Sequence, residues 1–203
     1  MLSHKMIEIV GDGTIFFHFN NIIDPNIFNW KDVCRYFTQQ FITNVEIVGE
    51  NKKLKIPTHN GIFQDHSYIL KRIEEGHSFV ISKFTNINNN LYDLYDEFCK
   101  IYPNKTIDFH LYAGLNKNSI SFPAHNDLAS NFIIQIDGEC QWIIFKEHAT
   151  REESENFVQK NESELTPSYV TILKPGDVLY IPGGKYHKCI PLTKRLSLSV
   201  PIL

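Results

Sequence analysis

Three residues in the second half of the chain have the chemistry of metal ligands. His125 and Asp127 are separated by one residue, and His187 follows much later in the chain. Side chains two positions apart on an extended strand project to the same side, so His125 and Asp127 can share one ion. Two imidazoles and one carboxylate on one face of an iron leave the opposite coordination positions open, as an O2-dependent Fe(II) site requires. The spacing therefore predicts a metal site formed by these three residues.

Two groups of turn-forming residues occur just before His187. Pro175-Gly176-Asp177 and Pro182-Gly183-Gly184 are turn signals. The apolar run Val178–Ile181 between them is typical of a short buried strand. His187 is thereby placed at the start of a further strand, so the third ligand meets the other two only in the folded chain.

These motifs resemble the JmjC branch of the cupin superfamily, and the chain is similar to the small relatives of ribosomal-protein hydroxylases. The resemblance implies a double-stranded β-helix, or jelly roll, that binds Fe(II) and 2-oxoglutarate. It also implies a 2-oxoglutarate-dependent dioxygenase that hydroxylates a C–H bond with O2, with no catalytic residues beyond the metal ligands. The similarity extends over about residues 65–200 and is carried by His125-x-Asp127, Gly138, Trp142 and the run from Pro175 to His187.

The hydrophobic patterns predict a mainly β fold with flanking helices. A chain of 203 residues fits a single domain, in which residues 1–105 supply strands and helices that pack on a barrel core of residues 106–203. In the first part we expect strands at Met6–Val10, Thr14–Phe19, Val45–Val48, Lys52–Ile56 and Ser78–Ser82, and helices at Phe28–Phe41, Asp65–Glu75 and Leu91–Ile101. We count eight core strands in two antiparallel sheets, with ranges that include Thr106–Ala113, Asn131–Ile136, Cys140–Phe145, Tyr169–Leu173, Val178–Ile181, Tyr186–Ile190 and Arg195–Val200.

The distal carboxylate of 2-oxoglutarate needs a positive partner if it is buried. Many JmjC enzymes supply a Lys or Arg two residues after the glycine that matches Gly138, but this chain has Cys140 there. Arg195 is the predicted replacement, because Arg195 and Ser197 resemble the Arg-x-Ser pair that other 2-oxoglutarate oxygenases place on their last barrel strand. These two residues also share one strand face with Ser199. Arg195 can bind a carboxylate through two parallel hydrogen bonds, and Ser197 can add a third.

Three more polar residues are candidates for cosubstrate binding. Tyr112 and His110 lie on the polar face of the strand before the metal motif, which contributes to the cosubstrate pocket in the JmjC family. Asn131 interrupts an otherwise apolar strand and matches a polar position near the pocket of some relatives. Lys146 and Lys185 are weaker rivals of Arg195 as the cation.

Composition excludes several other classes of protein. The net charge of −3 does not favour general electrostatic binding to nucleic acids. No apolar run reaches the ~18 residues of a membrane span. The chain has no signal-peptide pattern, and its four widely spaced cysteines predict free thiols in the cytoplasm. The expected partners are O2 and a small-molecule, amino-acid or peptide substrate, and the sequence leaves the oligomeric state open.

Two alternatives remain. One is a cupin metalloenzyme, a dioxygenase or lyase that binds its substrate directly to the metal without 2-oxoglutarate, which Cys140 favours. The other is a non-catalytic cupin that binds a ligand or a partner.

Overall fold

The computed structural model describes residues 15–37, 45–48, 53–55, 58–59, 62–63, 66–85, 87–156 and 158–203. The α-helices are α1 (Trp30–Phe37), α2 (His66–Glu74), α3 (Asn89–Ile101) and α4 (Arg151–Glu155). The strands are β1 (Phe17–Phe19), β2 (Val45–Val48), β3 (Lys53–Lys55), β4 (Thr58–His59), β5 (Ile62–Phe63), β6 (Ser78–Ile81), β7 (His110–Gly114), β8 (Ser130–Asp137), β9 (Cys140–His148), β10 (Pro167–Leu173), β11 (Val178–Ile181), β12 (Lys185–Pro191) and β13 (Arg195–Ile202).

Two antiparallel sheets form the body of the molecule. The larger sheet has the order β1-β11-β8-β13-β7-β6-β2-β3, and the smaller has the order β10-β9-β12. Side chains from both sheets meet in a shared apolar cluster that includes Ile133 and Leu179 from the larger sheet and Trp142 and Cys189 from the smaller. This arrangement confirms the predicted double-stranded β-helix, a fold whose mouth can hold a site.

The barrel strands follow the predicted pattern with two differences. Between residues 110 and 202 the described part of the chain contains seven strands, one fewer than the eight predicted. The strand predicted at Thr106–Ala113 begins only at His110, because the Asp108 carboxylate accepts the Phe109 backbone N–H at 2.8 Å. Such a side-chain bond competes with the regular ladder, and residues 106–107 pair with the C-terminal end of β13 instead.

The described N-terminal residues belong to the same packing unit as the barrel. Strand β1 pairs with β11, with Phe17 opposite Tyr180. Phe28 is buried in the main core, and the indole N–H of Trp30 donates to Asp137 at 2.7 Å. The β2–β3 pair forms as predicted, whereas the strand predicted at Met6–Val10 lies outside the described residues.

Helices α1 and α3 cover the outer face of the larger sheet, and each begins at a capping asparagine. Asn29 accepts the Lys31 N–H at 2.8 Å, and Asn88 accepts the Leu91 N–H at 2.9 Å, which satisfies donors that a helix start leaves unpaired. Phe98 of α3 packs edge-on against a buried ring of the core, Phe109. The α1 prediction of Phe28–Phe41 agrees over Trp30–Phe37, and residues 38–44 lie outside the described part. No helix among the described residues is both long and apolar enough to cross a membrane.

These contacts lead to a first prediction, that residues 1–60 are part of the barrel domain. A fragment that begins at Asp65 should lose its cooperative thermal transition or melt well below the full chain, because it uncovers the edge of β11 and the core around Phe28. Circular dichroism at rising temperature measures this effect. Trp30→Phe is the matched control, since it removes only the bond to Asp137 and should cost about 1 kcal/mol. A fragment that melts at the temperature of the full chain would show a separate domain.

Candidate metal centre and adjoining cavity

The three predicted ligands meet at the mouth of the barrel. His125 and His187 face each other in an isolated antiparallel bridge, with backbone N–H···O distances of 3.0 and 2.8 Å. This bridge places their rings 4.4 Å apart, centre to centre. The structure differs from the prediction in one respect, because residues 125–127 form this single bridge within a loop rather than a regular strand. Pro123, two residues before His125, has no N–H with which a ladder could continue.

Two glycines let the loop that carries Asp127 approach the start of β12. The Gly184 N–H donates to the carbonyl of Asp127 at 2.7 Å. A Cβ on Gly183 would lie 2.4 Å from the Leu128 carbonyl oxygen, and Gly184 has a φ of +80°. Larger residues here would push the loop away, so the Pro-Gly-Gly turn predicted from sequence fixes the third ligand relative to the other two.

The ligand atoms lie close enough together to hold one ion. The Asp127 carboxylate is 3.5 Å from Nε2 of His187 and 3.9 Å from Nε2 of His125. Two atoms that each bind a metal at about 2.1 Å can be at most about 4.2 Å apart, and both distances, which run to different oxygens of the carboxylate, satisfy this limit. All three ligand atoms lie within 4.8 Å of one another. The donor set of two imidazoles and one carboxylate fits Fe(II) with open coordination positions.

Backbone carbonyls fix which nitrogen of each histidine faces the ion. Nδ1 of His125 is 2.8 Å from the Pro123 carbonyl, and Nδ1 of His187 is 2.9 Å from the Lys185 carbonyl. A carbonyl oxygen can only accept, so Nδ1–H is the donor in both rings. Nε2 of each ring then keeps its lone pair for a metal, which is the usual arrangement of histidine ligands.

The triad is asymmetric in burial. The His187 side chain is 4% exposed, whereas that of Asp127 is 40% exposed, so solvent reaches the site from one side. Burial and the nearby His125 lower the pKa of His187 to about 4, although Asp127 opposes the shift. His187 therefore stays neutral, the form that binds metals, well into the acid range.

The lowered pKa of His187 predicts how the metal-free protein responds to acid. Below the ordinary pKa of 6.5 the unfolded chain takes up a proton at this position, whereas the folded chain does so only near pH 4. The contribution of His187 to stability is therefore complete above about pH 6.5 and should decline as the pH falls towards 4. Urea denaturation of metal-free protein across this range measures the decline. His187→Gln should flatten it, and an identical slope in both proteins would contradict the assignment.

A buried asparagine between the first two ligands anchors the metal loop. The Asn126 amide donates to the Val158 carbonyl at 3.2 Å and accepts from the Ser154 hydroxyl at 2.8 Å. Tyr186 also donates to the Val158 carbonyl, at 3.2 Å. The sequence of residues 147–160 is mainly charged and polar, a pattern that is typical of a solvated helix or loop outside the barrel. The structure instead makes α4 and the residues after it a brace for the loop that carries His125 and Asp127.

A cavity extends from the triad into the barrel. The predicted cosubstrate residues Arg195, Ser197, Asn131 and Tyr112 all line it, so the structure brings them together with the ligands. The complete lining is Tyr112, Ser121, Phe122, His125, Asp127, Asn131, Ile133, Trp142, His187, Cys189, Arg195, Ser197 and Ser199. His110 is absent from this lining and instead contacts Asp108 at 3.0 Å.

Arg195 is the only Lys or Arg among the described residues that line this cavity. It is 3% exposed. One terminal nitrogen, Nη1, donates to Cys189 Sγ at 2.8 Å, and the other donates to Ser121 Oγ at 3.4 Å. Among the described residues, its Nε has no hydrogen-bond partner. A buried guanidinium without a full set of partners is suited to an anionic ligand. The rival Lys146 is exposed, and Lys185 donates to the Lys146 carbonyl outside the cavity.

The contacts of the other cosubstrate candidates show which of their hydrogen-bond donors can serve a ligand. Ser197 donates to the buried Gln135 at 2.8 Å, so its hydroxyl proton is already used. Ser199 donates to the carbonyl oxygen of the Asn131 side chain at 2.9 Å, which leaves the Asn131 NH2 group to serve a ligand. Burial raises the pKa of Tyr112, and Asp127 adds to the effect. Tyr112 therefore remains a neutral phenol that can donate a hydrogen bond.

Two buried thiols stand beside Arg195. Cys189 lines the cavity, and Cys140 lies behind it, with Sγ 4.0 Å from Nη1 of Arg195. A hydrogen bond from Cys189, together with the charge of Arg195, lowers the pKa of Cys140 to about 6. Burial and the Cys140 neighbour raise the pKa of Cys189. The buried guanidinium of Arg195 thus stands where it favours the thiolate form of Cys140.

Sequence reasoning missed several residues of the cavity. Trp142 carries part of the family resemblance but is not among the predicted site residues. Its ring lies 5.9 Å from that of His187, and its Nε1 has no partner among the described residues. Gln135 orients Ser197, and Ser121 contacts Arg195. Strand alternation could have identified Gln135, which is in phase with Asn131 on β8, whereas Ser121 gives no local signal.

A jelly-roll barrel with a His-x-Asp pair and a later His at its mouth defines the class of Fe(II)- and 2-oxoglutarate-dependent oxygenases. The family model for the JmjC domain matches residues 82–203, which is more than half of the chain. This chain belongs to the JmjC family. The resemblance, the fold and the enzyme class predicted from the sequence are confirmed by this match together with the ligand group.

Individual proteins show similarity to the chain over part of their length. The bifunctional lysine-specific demethylase and histidyl-hydroxylase NO66 of Dictyostelium discoideum is 28% identical over 148 residues, which cover 67% of this chain and 27% of that protein. NO66 of Drosophila willistoni is 33% identical over 104 residues, which cover 46% and 13%. The chain spans about a quarter or less of these relatives.

Solved structures share the fold. The Escherichia coli ribosomal oxygenase YcfD has a TM-score of 0.72 and 17% identity, over 100% of this chain and 52% of that chain. A YcfD complex with cobalt and 2-oxoglutarate has a TM-score of 0.66 and 19% identity, over 94% of this chain and 48% of that chain. The barrel described above therefore shares its fold with the barrel of E. coli YcfD.

Proposed function

We propose that this protein hydroxylates a C–H bond in a peptide or protein, with Fe(II), 2-oxoglutarate and O2. The observation that carries the proposal is the position of Arg195, a buried cation in the cavity that also holds the His125-Asp127-His187 group. Such a cavity offers metal ligands at one end and a carboxylate partner at the other. A dicarboxylic keto acid needs both.

Each residue has a defined task in this proposal. His125, Asp127 and His187 hold the iron, and Arg195 binds the distal carboxylate of the cosubstrate. Tyr112 and Asn131 donate hydrogen bonds that fix the orientation of the cosubstrate. Trp142 and the other apolar residues of the lining exclude water. When bound, the iron and cosubstrate supply the oxidising chemistry, in which 2-oxoglutarate gives succinate and CO2 and one oxygen atom enters the substrate.

A peptide or protein substrate is favoured over a small molecule. The sequence left small molecules, amino acids and peptides open, but NO66 is named as a lysine-specific demethylase and histidyl-hydroxylase, and YcfD as a ribosomal oxygenase. A surface groove of about 420 Å³ adjoins the metal cavity and shares Ser121, Phe122 and Cys189 with it. The groove and the 40% exposure of Asp127 favour a substrate that lies across the surface.

The test is conversion of 2-oxoglutarate to succinate by the purified chain with added Fe(II). A panel of ribosomal-protein and histone peptides is then screened by mass spectrometry for a gain of one oxygen. We expect succinate release that depends on Fe(II) and increases with the correct peptide, and no release from Asp127→Ala. An active protein that oxidises only free amino acids or other small molecules would contradict the substrate class.

The second candidate is a cupin metalloenzyme that does not use 2-oxoglutarate. Its support is Cys140, which occupies the position where many family members carry the cation. Stoichiometric iron binding without any succinate formation, and without a change in iron absorbance on adding 2-oxoglutarate, would favour this candidate. Absence of metal binding would favour a ligand-binding cupin without catalysis.

A further inference from the structure

The two thiols beside the metal cavity come from neighbouring strands of the smaller sheet. In the β9–β12 ladder Cys189 is opposite Trp142 and Cys140 is opposite Pro191, so the cysteines occupy diagonal positions. Both side chains point into the barrel, with exposures of 0% for Cys140 and 7% for Cys189. Diagonal neighbours on one face of an antiparallel pair are close enough for their side chains to interact.

The environment of the pair differs from that of the other two cysteines. Arg195 contacts both sulfurs, at 2.8 Å for Cys189 and 4.0 Å for Cys140. Cys189 also lines both the metal cavity and the adjoining groove, so a small oxidant can reach it from solvent. Cys34 is exposed on α1 and Cys99 is half-buried on α3, each away from this cavity. A cysteine next to a cation is oxidised in preference to other cysteines of the same protein.

We propose that Cys189 and Cys140 form an oxidative modification site for peroxides. Cys189 attacks the peroxide because it is the one of the two sulfurs that lines the cavity. An S–O bond forms, the O–O bond breaks, the thiol proton passes to the leaving oxygen so that water leaves, and the product is a sulfenic acid. The Cys140 sulfur then attacks Cys189, so that an S–S bond forms, the S–O bond breaks and a second water leaves with the remaining thiol proton. The two sulfurs together lose two electrons, and the peroxide gains them.

The bridge would change the cosubstrate end of the cavity. Diagonal residues are typically ~7–8 Å apart, just beyond the usual Cα–Cα range of disulfides of up to ~6.8 Å, so the bridge requires a shift of β9 against β12. A bridge formed under such constraint is easily reduced, which makes the modification reversible. Arg195 loses its sulfur acceptor at the same time, and the shift occurs two residues from His187. The effect on cosubstrate rests on the proposed function, whereas the modification itself does not.

Mass spectrometry of the full chain tests the modification without any activity. In a background of Cys34→Ser and Cys99→Ser, a few equivalents of hydrogen peroxide should lower the intact mass by about 2 Da. Peptide mapping should show Cys140 joined to Cys189, and dithiothreitol should restore the starting mass. Adding Cys140→Ser to this background should abolish the loss and leave Cys189 with added oxygen. Two thiols that both remain open to alkylation after peroxide, or that each gain oxygen without a cross-link, would overturn the proposal.

A second measurement separates this inference from the proposed function. The apparent KM for 2-oxoglutarate is compared before and after peroxide in the same protein, and we expect an increase of ~10-fold or more that dithiothreitol reverses. A cross-link that leaves this KM unchanged would overturn the control of cosubstrate binding. Lack of turnover in the reduced protein would count against the proposed function, and the mass result would still decide the modification site.

Discussion

Loss of any one metal ligand is expected to abolish both metal binding and turnover. His125→Ala, Asp127→Ala and His187→Ala each leave only two protein ligands, and two ligands do not hold Fe(II) against loss to solvent. Metal content after dialysis, with Co(II) as a spectroscopic substitute, should fall from one equivalent to near zero. Succinate formation should fall below detection in the same variants.

His148→Ala is the matched control for the ligand variants. His148 is an exposed histidine at the end of β9 and is outside the lining of the metal cavity. Its replacement should leave metal content and turnover unchanged. Thermal melting of each variant shows whether a ligand variant is folded, which matters most for the buried His187. A folded His187→Ala protein that keeps a full equivalent of metal would contradict the proposed centre.

Arg195→Ala is expected to raise the apparent KM for 2-oxoglutarate by ~10²-fold or more. The change corresponds to roughly 3 kcal/mol, which is typical of a charge-assisted pair lost from a buried site. Metal binding should survive, because no ligand is removed. Arg195→Lys should restore binding only in part, since an ammonium group cannot reproduce the planar, bidentate guanidinium.

Steady-state kinetics at saturating Fe(II) measure this effect, and Lys146→Ala is the control. Lys146 is exposed on β9 and outside the cavity lining, so its removal should leave the KM for 2-oxoglutarate unchanged. An unchanged KM in Arg195→Ala would mean that another group binds the distal carboxylate. A KM raised equally by both variants would indicate a general electrostatic effect rather than a specific pair.

Local patterns in the sequence were sufficient for most of the barrel and for the metal group. The strands β8, β9 and β11 are largely apolar runs, β12 follows a Pro-Gly-Gly turn, and the structure places all four within a few residues of the predicted ends. The His-x-Asp spacing and the Pro-Gly-Gly turn act over short distances, so the sequence alone indicated which side chains could share an ion. Alternation on β13 likewise placed Arg195 and Ser197 on one face.

Only the tertiary structure decided which groups from distant parts of the chain meet. The contact of Arg195 with Cys189 depends on the register of β12 and on how the two sheets pack, which no local period encodes. The same holds for Asn126, whose partners Ser154 and Val158 follow a segment that the sequence presents as polar and solvated. The charge balance around the cosubstrate site therefore became visible only in the folded chain, because it arises from side chains on separate strands.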